Sequence, residues 1–285
     1  MFNLEQLARV VREVDPGLTF TTVEIGARPL EGETEPAHRL LDLFPGSRVI
    51  AFELDKELCA QLNRKAKRGL QYYPVALGRT EETRPLYETA HPMGTSLYQP
   101  NGALLDCFTH LEDARLKTVS SVTTVSLDRF ATEHALPPID FVKIDVQGAE
   151  LDVFRGGASA LRDVVCIVSE VEFVPLYVGQ PLLGDVCGYL SQRGMLFHKF
   201  LGAGGRTMKL ASVSDPSNVA MQLLWADAVF IPDVVALKDA PPQPLLRLAV
   251  LAFLYGSPDL TLYCLESHDR RYGSRMVERL LHGRA

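Results

Sequence analysis

The segment from residue 141 to residue 157, FVKIDVQGAELDVFRGG, constrains the fold of this chain more than any other segment. An apolar run of strand-forming residues ends at Asp145, Gly148 opens a turn, and an amphipathic segment begins. This pattern predicts a buried strand that ends in a carboxylate and is followed by a helix. Ligands of open α/β sheets bind at that edge, so we expect the binding site there.

Several other apolar segments read as strands, and most of them alternate with helical patterns. The predicted strands cover residues 20–25, 48–52, 71–76, 140–144 and 164–171, with short extended pieces at 84–89 and 122–127. Residues 195–200 and 223–231 have no helix between them, which favours a terminal antiparallel hairpin. The predicted fold is therefore α/β, a Rossmann-like doubly wound sheet of seven strands that ends in this hairpin.

A helical pattern follows the sheet. Helical spacing covers residues 245–254 and 275–281, after the pair Pro241-Pro242. We expect residues 1–233 to form one domain and residues 234–285 to form a C-terminal helical extension. The extension would serve as a cap, as a docking arm or as a homodimer contact.

Composition argues against two kinds of partner. The net charge of -6 disfavours nucleic acid, because neutralising phosphates needs a basic face. The longest apolar stretch, at residues 248–255, is too short to span a bilayer. Five scattered cysteines without a CxxC pair, and no recognisable signal peptide, predict a reducing compartment and a cytoplasmic location.

The ends of the first two strands predict a nucleoside pocket. Glu24-Ile25-Gly26-Ala27 ends the first strand, where a glycine lets the backbone approach a ligand closely. Glu53 ends the second strand, where an acid can accept hydrogen bonds from both ribose hydroxyls. The chain continues as ARPLEGE, so GxGxxG is absent and nearby acids disfavour a phosphate. S-adenosylmethionine, an adenosine that carries a positive sulfonium, fits this pattern.

Five segments together resemble the FkbM-type family of S-adenosylmethionine-dependent methyltransferases. They are EIGA, VIAFELD, PVALG, VSLDRF and FVKIDVQGAELDVFRGG, within about residues 21–157, with fainter similarity through 225–232. The resemblance implies the class I methyltransferase fold and methylation of hydroxyls, often on sugars or natural products. The expected partner is then a small-molecule or glycan acceptor.

The resemblance also implies roles for single residues. Glu24 and Gly26 would lie at the methionine end of the cofactor, and Glu53 would hold the ribose. The other implied contacts are Phe52 and Leu54 beside the adenosine, Ala76 and Leu77 at the adenine, and Asp145 at the methyl-transfer centre. The first turn departs from the family's GAxxG pattern and reads Gly26-Ala27-Arg28-Pro29-Leu30, so Arg28 is a candidate carboxylate-binding residue.

Methyl transfer to a hydroxyl requires alignment of the reacting atoms and a proton acceptor. Asp145 is our first candidate for the base, with Glu170, Glu172 and His198 behind it. Asp145 could instead cap the next helix, and His198 could be a packed strand histidine. Asp145, Glu170 and Glu172 could also offer oxygens to Mg²⁺. HxH and CxxC spacings are missing, so we favour a site without a metal and keep the metal site as an open alternative.

The segments that we expect to surround the acceptor contain no recognisable motif. The loop from Ala90 to Asp106 is a candidate substrate lid or a simple connector, in which Thr95 or Ser96 could touch the cofactor. Trp225 is expected to be a core residue. Two other functions stay open: a non-catalytic cofactor-binding scaffold that recruits partners, and a nicotinamide-dependent oxidoreductase, which the missing GxGxxG disfavours. The acceptor itself cannot be named from the sequence.

Overall fold

A seven-stranded sheet lies at the centre of the structure, a computed structural model that describes residues 2–29, 34–210, 212 and 222–282. The strands are β1 (Thr21–Ile25), β2 (Arg48–Phe52), β3 (Leu70–Tyr73), β4 (Ala76–Gly78), β5 (Glu82–Thr89), β6 (Leu116–Ser126), β7 (Phe141–Ile144), β8 (Cys166–Glu172), β9 (Met195–Arg206) and β10 (Gln222–Pro232). The central sheet has the order β3-β2-β1-β7-β8-β10-β9, and β10 runs antiparallel to both of its neighbours. The predicted fold class, with its seven strands and terminal hairpin, is confirmed.

A second sheet has the order β4-β6-β5. The prediction of one strand over residues 71–76 was wrong at its end, because β3 stops at Tyr73 and Ala76 opens β4 in the second sheet. Pro74 lies between them and has no backbone N–H to donate to a sheet. The chain therefore leaves the central sheet at this proline.

Helices cover both faces of the central sheet. They are α1 (Leu4–Val14), α2 (Arg39–Leu43), α3 (Lys56–Lys65), α4 (Gly102–Leu105), α5 (Leu127–Glu133), α6 (Glu150–Gly156), α7 (Leu183–Ser191), α8 (Pro242–Leu254), α9 (Pro258–Tyr272) and α10 (Met276–His282). Side chains alternate along each strand, so Val142 and Ile144 join the core that contains α5, α6 and α7, whereas Phe141 joins the core of α1, α8 and α9. Within the described ranges, no helix is both long and apolar enough to cross a membrane.

The C-terminal helices share their core with the sheet. Leu248 and Leu251 of α8 are fully buried in the same apolar cluster as Leu7 of α1. Arg247 forms an ion pair of 3.1 Å with Asp140, and Asp140 accepts the Thr21 N–H at 2.8 Å. The extension thus packs as a helical layer beside β1. The domain division at residue 233 and the homodimer contact stay predictions.

Candidate active site

A cavity of about 510 Å³, here called cavity A, lies at the carboxyl edge of β1, β2 and β7. Most of the predicted cofactor residues line it: Ile25, Gly26, Arg28, Phe52, Glu53, Leu54, Ala76, Leu77, Ser96 and Asp145. Parallel strands that lie side by side bring their carboxyl ends to one edge, which is why residues far apart in the sequence meet here.

Gly26 forms the floor of cavity A. Its backbone is left-handed, with φ +79°, and the N–H groups of Gly26 and Ala27 donate to the Phe52 carbonyl at 3.1 and 2.9 Å. A Cβ at residue 26 would lie 1.9 Å from the Asp145 carbonyl oxygen. The glycine is therefore required by the close approach of β1 and β7, as well as by the left-handed turn.

Glu53 is buried at the end of β2, with 6% of its surface exposed. Its Oε1 accepts the Asp55 N–H at 2.9 Å and lies 3.2 Å from an Arg28 guanidinium nitrogen. Asp55 in turn caps α3, since its carboxylate accepts the N–H groups of Glu57 and Leu58 at 3.0 Å each. The acid at this strand end is thus held by both its own turn and a neighbouring cation.

Two residues predicted to touch the cofactor do not line cavity A. Glu24 Oε2 lies 2.9 Å from His38 Nε2, which is within hydrogen-bond distance. Ala27 is buried in a small apolar cluster with Ala51 and Cys59. Arg28 faces Glu53 and Asp55, so its predicted partner, a ligand carboxylate, stays a prediction.

A second cavity of about 580 Å³, here called cavity B, adjoins the first. Asp145, Gln147 and Met93 line both cavities, so the two spaces meet at these side chains. Cavity B is also lined by Glu170, Glu172, Tyr177, Arg206 and Trp225 and by residues from the loops at 91–94 and 105–114. Three of the four predicted base candidates therefore share one cavity.

His198 is placed elsewhere. It lines neither cavity, and its Nε2 lies 2.9 Å from the Ser257 hydroxyl at the start of α9. Burial lowers the pKa of His198, which is the direction expected for a packed imidazole that stays neutral. Its placement matches the alternative reading, a packed strand histidine, although its predicted catalytic role is untested.

The amide of Gln147 connects the acids of cavity B. Its Nε2 donates to Asp145 Oδ1 at 2.8 Å and to Glu170 Oε2, and its Oε1 accepts the Tyr177 hydroxyl at 2.8 Å. Sequence reasoning missed Gln147, Tyr177 and Arg206. Gln147 lies within the motif at 141–157, which was a usable signal, whereas Tyr177 lies in an irregular loop without periodicity.

The buried acids around Asp145 bind protons more tightly than ordinary carboxyl groups. Burial raises the pKa of Glu170 well above its usual value, and the Asp145 charge adds to this effect. Burial also raises the pKa of Glu172 in the same direction, with Glu150 as the next cause. Glu150 itself, buried beneath the site, has its pKa raised by burial to about 8. Near neutral pH, Glu150 therefore favours its protonated form, and the pKa values of Glu170 and Glu172 are shifted in the same direction.

Three carboxylates, those of Asp145, Glu150 and Glu170, bring oxygens within 4.8 Å of one another. Donors of the protein already occupy the space around them. Glu150 Oε1 accepts the Val146 N–H at 2.8 Å, and the Gln147 amide nitrogen lies between the other two. Each of these three carboxylates accepts a hydrogen bond from within the chain, and the absence of a metal site stays a prediction.

The loop from Ala90 to Asp106 lies over both cavities. Thr95 and Ser96 line cavity A, Gly94 and Leu105 line cavity B, and Met93 lines both. Ser96 Oγ donates to the Gln147 carbonyl at 2.6 Å, which ties the loop to the turn after β7. This placement is consistent with a lid.

Trp225 was expected to be a core residue, and this was incomplete. Its side chain is partly buried against the cluster around Leu105 and Phe108, but it also lines cavity B. A Cβ at Gly204 of the neighbouring strand would lie 2.2 Å from the Trp225 ring, so only glycine leaves room for the ring there. A wall of cavity B thus depends on a residue pair across β9 and β10.

Comparisons with known proteins agree with this geometry. A family model described as the methyltransferase FkbM domain matches residues 24–197, more than half of the chain. The 2-O-methyltransferase NoeI of Sinorhizobium fredii (strain NBRC 101917 / NGR234) is 26% identical over 180 residues, which cover 61% of this chain and 71% of that protein. The resemblance predicted from the motifs is confirmed.

Likenesses to solved structures are more distant. The crystal structure of EvdMO1 is 13% identical with a TM-score of 0.33, and the match covers 83% of this chain and 42% of that chain. A protein in the NADB-Rossmann superfamily from Streptococcus agalactiae is 11% identical with a TM-score of 0.33, and the match covers 93% and 96% of the two chains. Since the matching family model includes the strand ends of cavity A and the turn that joins both cavities, the chain belongs to the FkbM methyltransferase family.

Proposed function

We propose that this protein is an S-adenosylmethionine-dependent O-methyltransferase that acts on a hydroxyl of a sugar, a glycan or a related natural product. One observation carries the proposal: two cavities of similar size meet at Asp145. Group transfer needs a donor and an acceptor in adjoining spaces, with the reacting atoms aligned at the junction. The family of the chain and the name of its relative NoeI support methyl transfer.

The residues of cavity A fit the proposed cofactor. Glu53 offers a buried carboxylate to the two ribose hydroxyls, and Ala76 and Leu77 offer apolar surface to an adenine ring. Asp145 lies where a positive sulfur would face cavity B, and opposite charges at short range attract. When bound, S-adenosylmethionine supplies an electrophilic methyl group on a positively charged sulfur.

The residues of cavity B fit a neutral, polyhydroxylated acceptor. Burial raises the pKa values of Glu170 and Glu172, and a carboxyl group that keeps its proton can both donate to and accept from hydroxyl groups. Trp225 offers an aromatic surface to the apolar face of a sugar ring. Asp145, at the junction, is then the group that takes the proton of the attacking hydroxyl.

Two measurements test this function. Isothermal titration with S-adenosylmethionine and S-adenosylhomocysteine should show binding of both at micromolar concentrations. Incubation with S-adenosylmethionine and a panel of methyl glycosides and oligosaccharides should then give a product that carries one additional methyl group. Absence of binding at millimolar concentrations would overturn the proposal. Binding without transfer to any acceptor, and with Asp145→Asn as inert as the parent, would support the scaffold hypothesis instead.

A further inference from the structure

The turn after β7 holds Gln147 in an unusual backbone conformation. Its φ is +57°, in the left-handed region that residues other than glycine rarely adopt, and Gly148 follows with φ +95°. Such conformations persist where the surrounding contacts fix them, and they are common at functional sites. Here the Ser96 hydroxyl donates to the Gln147 carbonyl at 2.6 Å, which anchors the backbone of the turn to the loop from Ala90 to Asp106.

The contacts around the side-chain amide of Gln147 favour one orientation. Tyr177 is nearly fully buried, and its hydroxyl lies 2.8 Å from Gln147 Oε1 and 3.1 Å from the Gly94 carbonyl. Burial raises the pKa of Tyr177 well above its usual value, so the hydroxyl keeps its single proton, and Gln147 Oε1 is the nearer of its two acceptors. The amide oxygen therefore faces Tyr177, and both amide hydrogens face Asp145 and Glu170.

We propose that Gln147 is a positioning residue that keeps Asp145 ionised and aimed at the junction of the two cavities. The inference rests on the proposed function, in which Asp145 accepts the proton. A hydrogen bond that is donated to a carboxylate stabilises its charged form. Because the amide is neutral, it bridges Asp145 and Glu170 without adding a further negative charge between them.

Other charged groups act on Asp145 and must stay constant in a test. Lys143 on β7, Glu150 on α6, Glu170 and Glu172 on β8, Tyr177 in the loop and Asp227 on β10 are the ionisable groups around it. Substitutions at residue 147 leave all six in place. Any difference in the pH midpoint between the parent and a residue-147 variant can then be assigned to the lost or altered amide.

The experiment uses the charge of the cofactor and needs no acceptor. S-adenosylmethionine carries a positive sulfur and S-adenosylhomocysteine does not, so the ratio of their affinities reports the negative charge that Asp145 and the neighbouring acids Glu150, Glu170 and Glu172 present to the sulfur. We would titrate the protein with both ligands between pH 4 and pH 9 and record the pH at which the ratio falls to half. The variants are Gln147→Met, which removes both donors, and Gln147→Glu, which replaces them with a carboxylate of the same shape.

We expect the midpoint to rise by about one pH unit in Gln147→Met and by more in Gln147→Glu, because a like charge raises the pKa of a carboxyl group further. Tyr177→Phe keeps the amide but frees its orientation, and it should give a smaller rise. All residue-147 variants keep a side chain on the left-handed backbone, so differences in strain do not confuse the comparison.

Unchanged midpoints in both residue-147 variants would overturn the inference. Thermal unfolding distinguishes the positioning role from a merely structural role of Gln147. Damage to packing would lower the melting temperature without moving the pH midpoint of the affinity ratio. If one variant does not fold, the other still decides the question. A parent protein that binds neither ligand would refute the proposed function instead, so the two failures are distinguishable.

Discussion

Cavity A and cavity B lie side by side, but the chain builds them in different ways. Cavity A takes its floor from the carboxyl ends of β1, β2 and β7, which are held in register by the sheet. Cavity B takes most of its wall from irregular loops and from β9 and β10 at the end of the fold. The hydrogen-bonded sheet thus supports the cavity that we propose for the cofactor, and loops surround the cavity that we propose for the acceptor.

Asp145 belongs to both sides of this comparison, because it lines both cavities. We predict that Asp145→Asn lowers turnover by about 10²- to 10⁴-fold, the usual contribution of a general base. The affinity for S-adenosylhomocysteine should change little, because asparagine keeps the oxygen that accepts from Gln147. Single-turnover rates and titration calorimetry measure the two quantities.

Asp163→Asn provides the control, since Asp163 is exposed and lines neither cavity. If Asp145→Asn keeps its turnover, Asp145 is not the base. A parallel loss of affinity for S-adenosylhomocysteine would show that Asp145 also contributes to cofactor binding.

The second prediction tests the rigidity of cavity A. Gly26→Ala places a Cβ 1.9 Å from the Asp145 carbonyl oxygen on a left-handed backbone. We expect the free energy of unfolding to fall by about 2–5 kcal/mol, from the strained conformation and the overpacking together. Urea unfolding measures the change.

Gly188→Ala in α7 is the matched control, because a Cβ there meets nothing within 4 Å and should stabilise the helix by about 0.5–1 kcal/mol. Equal stability of the two variants would contradict the tight contact between β1 and β7.

The same contrast explains how far the sequence could be interpreted. The ends of strands can be predicted from apolar runs, so Gly26, Glu53 and Asp145 could be placed at one sheet edge, and parallel pairing brings them together in cavity A. Glu24 was assigned to the cofactor as well, yet alternation along β1 places it behind the cavity beside His38. For Trp225, hydrophobicity alone predicted a buried position.

The features that the sequence analysis did not predict, namely most of cavity B and the second sheet, have a common physical cause. Cavity B joins Tyr177, Arg206 and Trp225, which are distant in sequence and lie on a loop and on the last two strands. Their meeting depends on long-range pairing of β8, β10 and β9, and no local period encodes it. The second sheet was also missed, because Pro74 ends β3 without any sign of where the next strand pairs.

A third prediction addresses cavity A by its chemistry. Glu53→Gln removes the buried negative charge that we assign to the ribose hydroxyls. Since a hydrogen bond to a charged group contributes about 1.5–3 kcal/mol, the affinity for S-adenosylhomocysteine should fall about tenfold to 100-fold. The KM for the acceptor should stay unchanged, because Glu53 does not line cavity B.

Glu57→Gln serves as the control, because Glu57 is exposed on α3. Equal affinities of the two variants would remove Glu53 from the cofactor site.

The smallest expected effect lies on the other side of the junction. Trp225→Phe shortens an aromatic wall of cavity B and leaves space above Gly204. We expect the KM for a sugar acceptor to rise about threefold to tenfold, the range for one aromatic contact, while the affinity for S-adenosylhomocysteine is retained. Phe197→Leu on β9 is the control, because this ring is exposed and lines neither cavity. A loss of cofactor affinity in Trp225→Phe would mean that the two cavities respond as one unit, and acceptor binding could then not vary independently of the cofactor site.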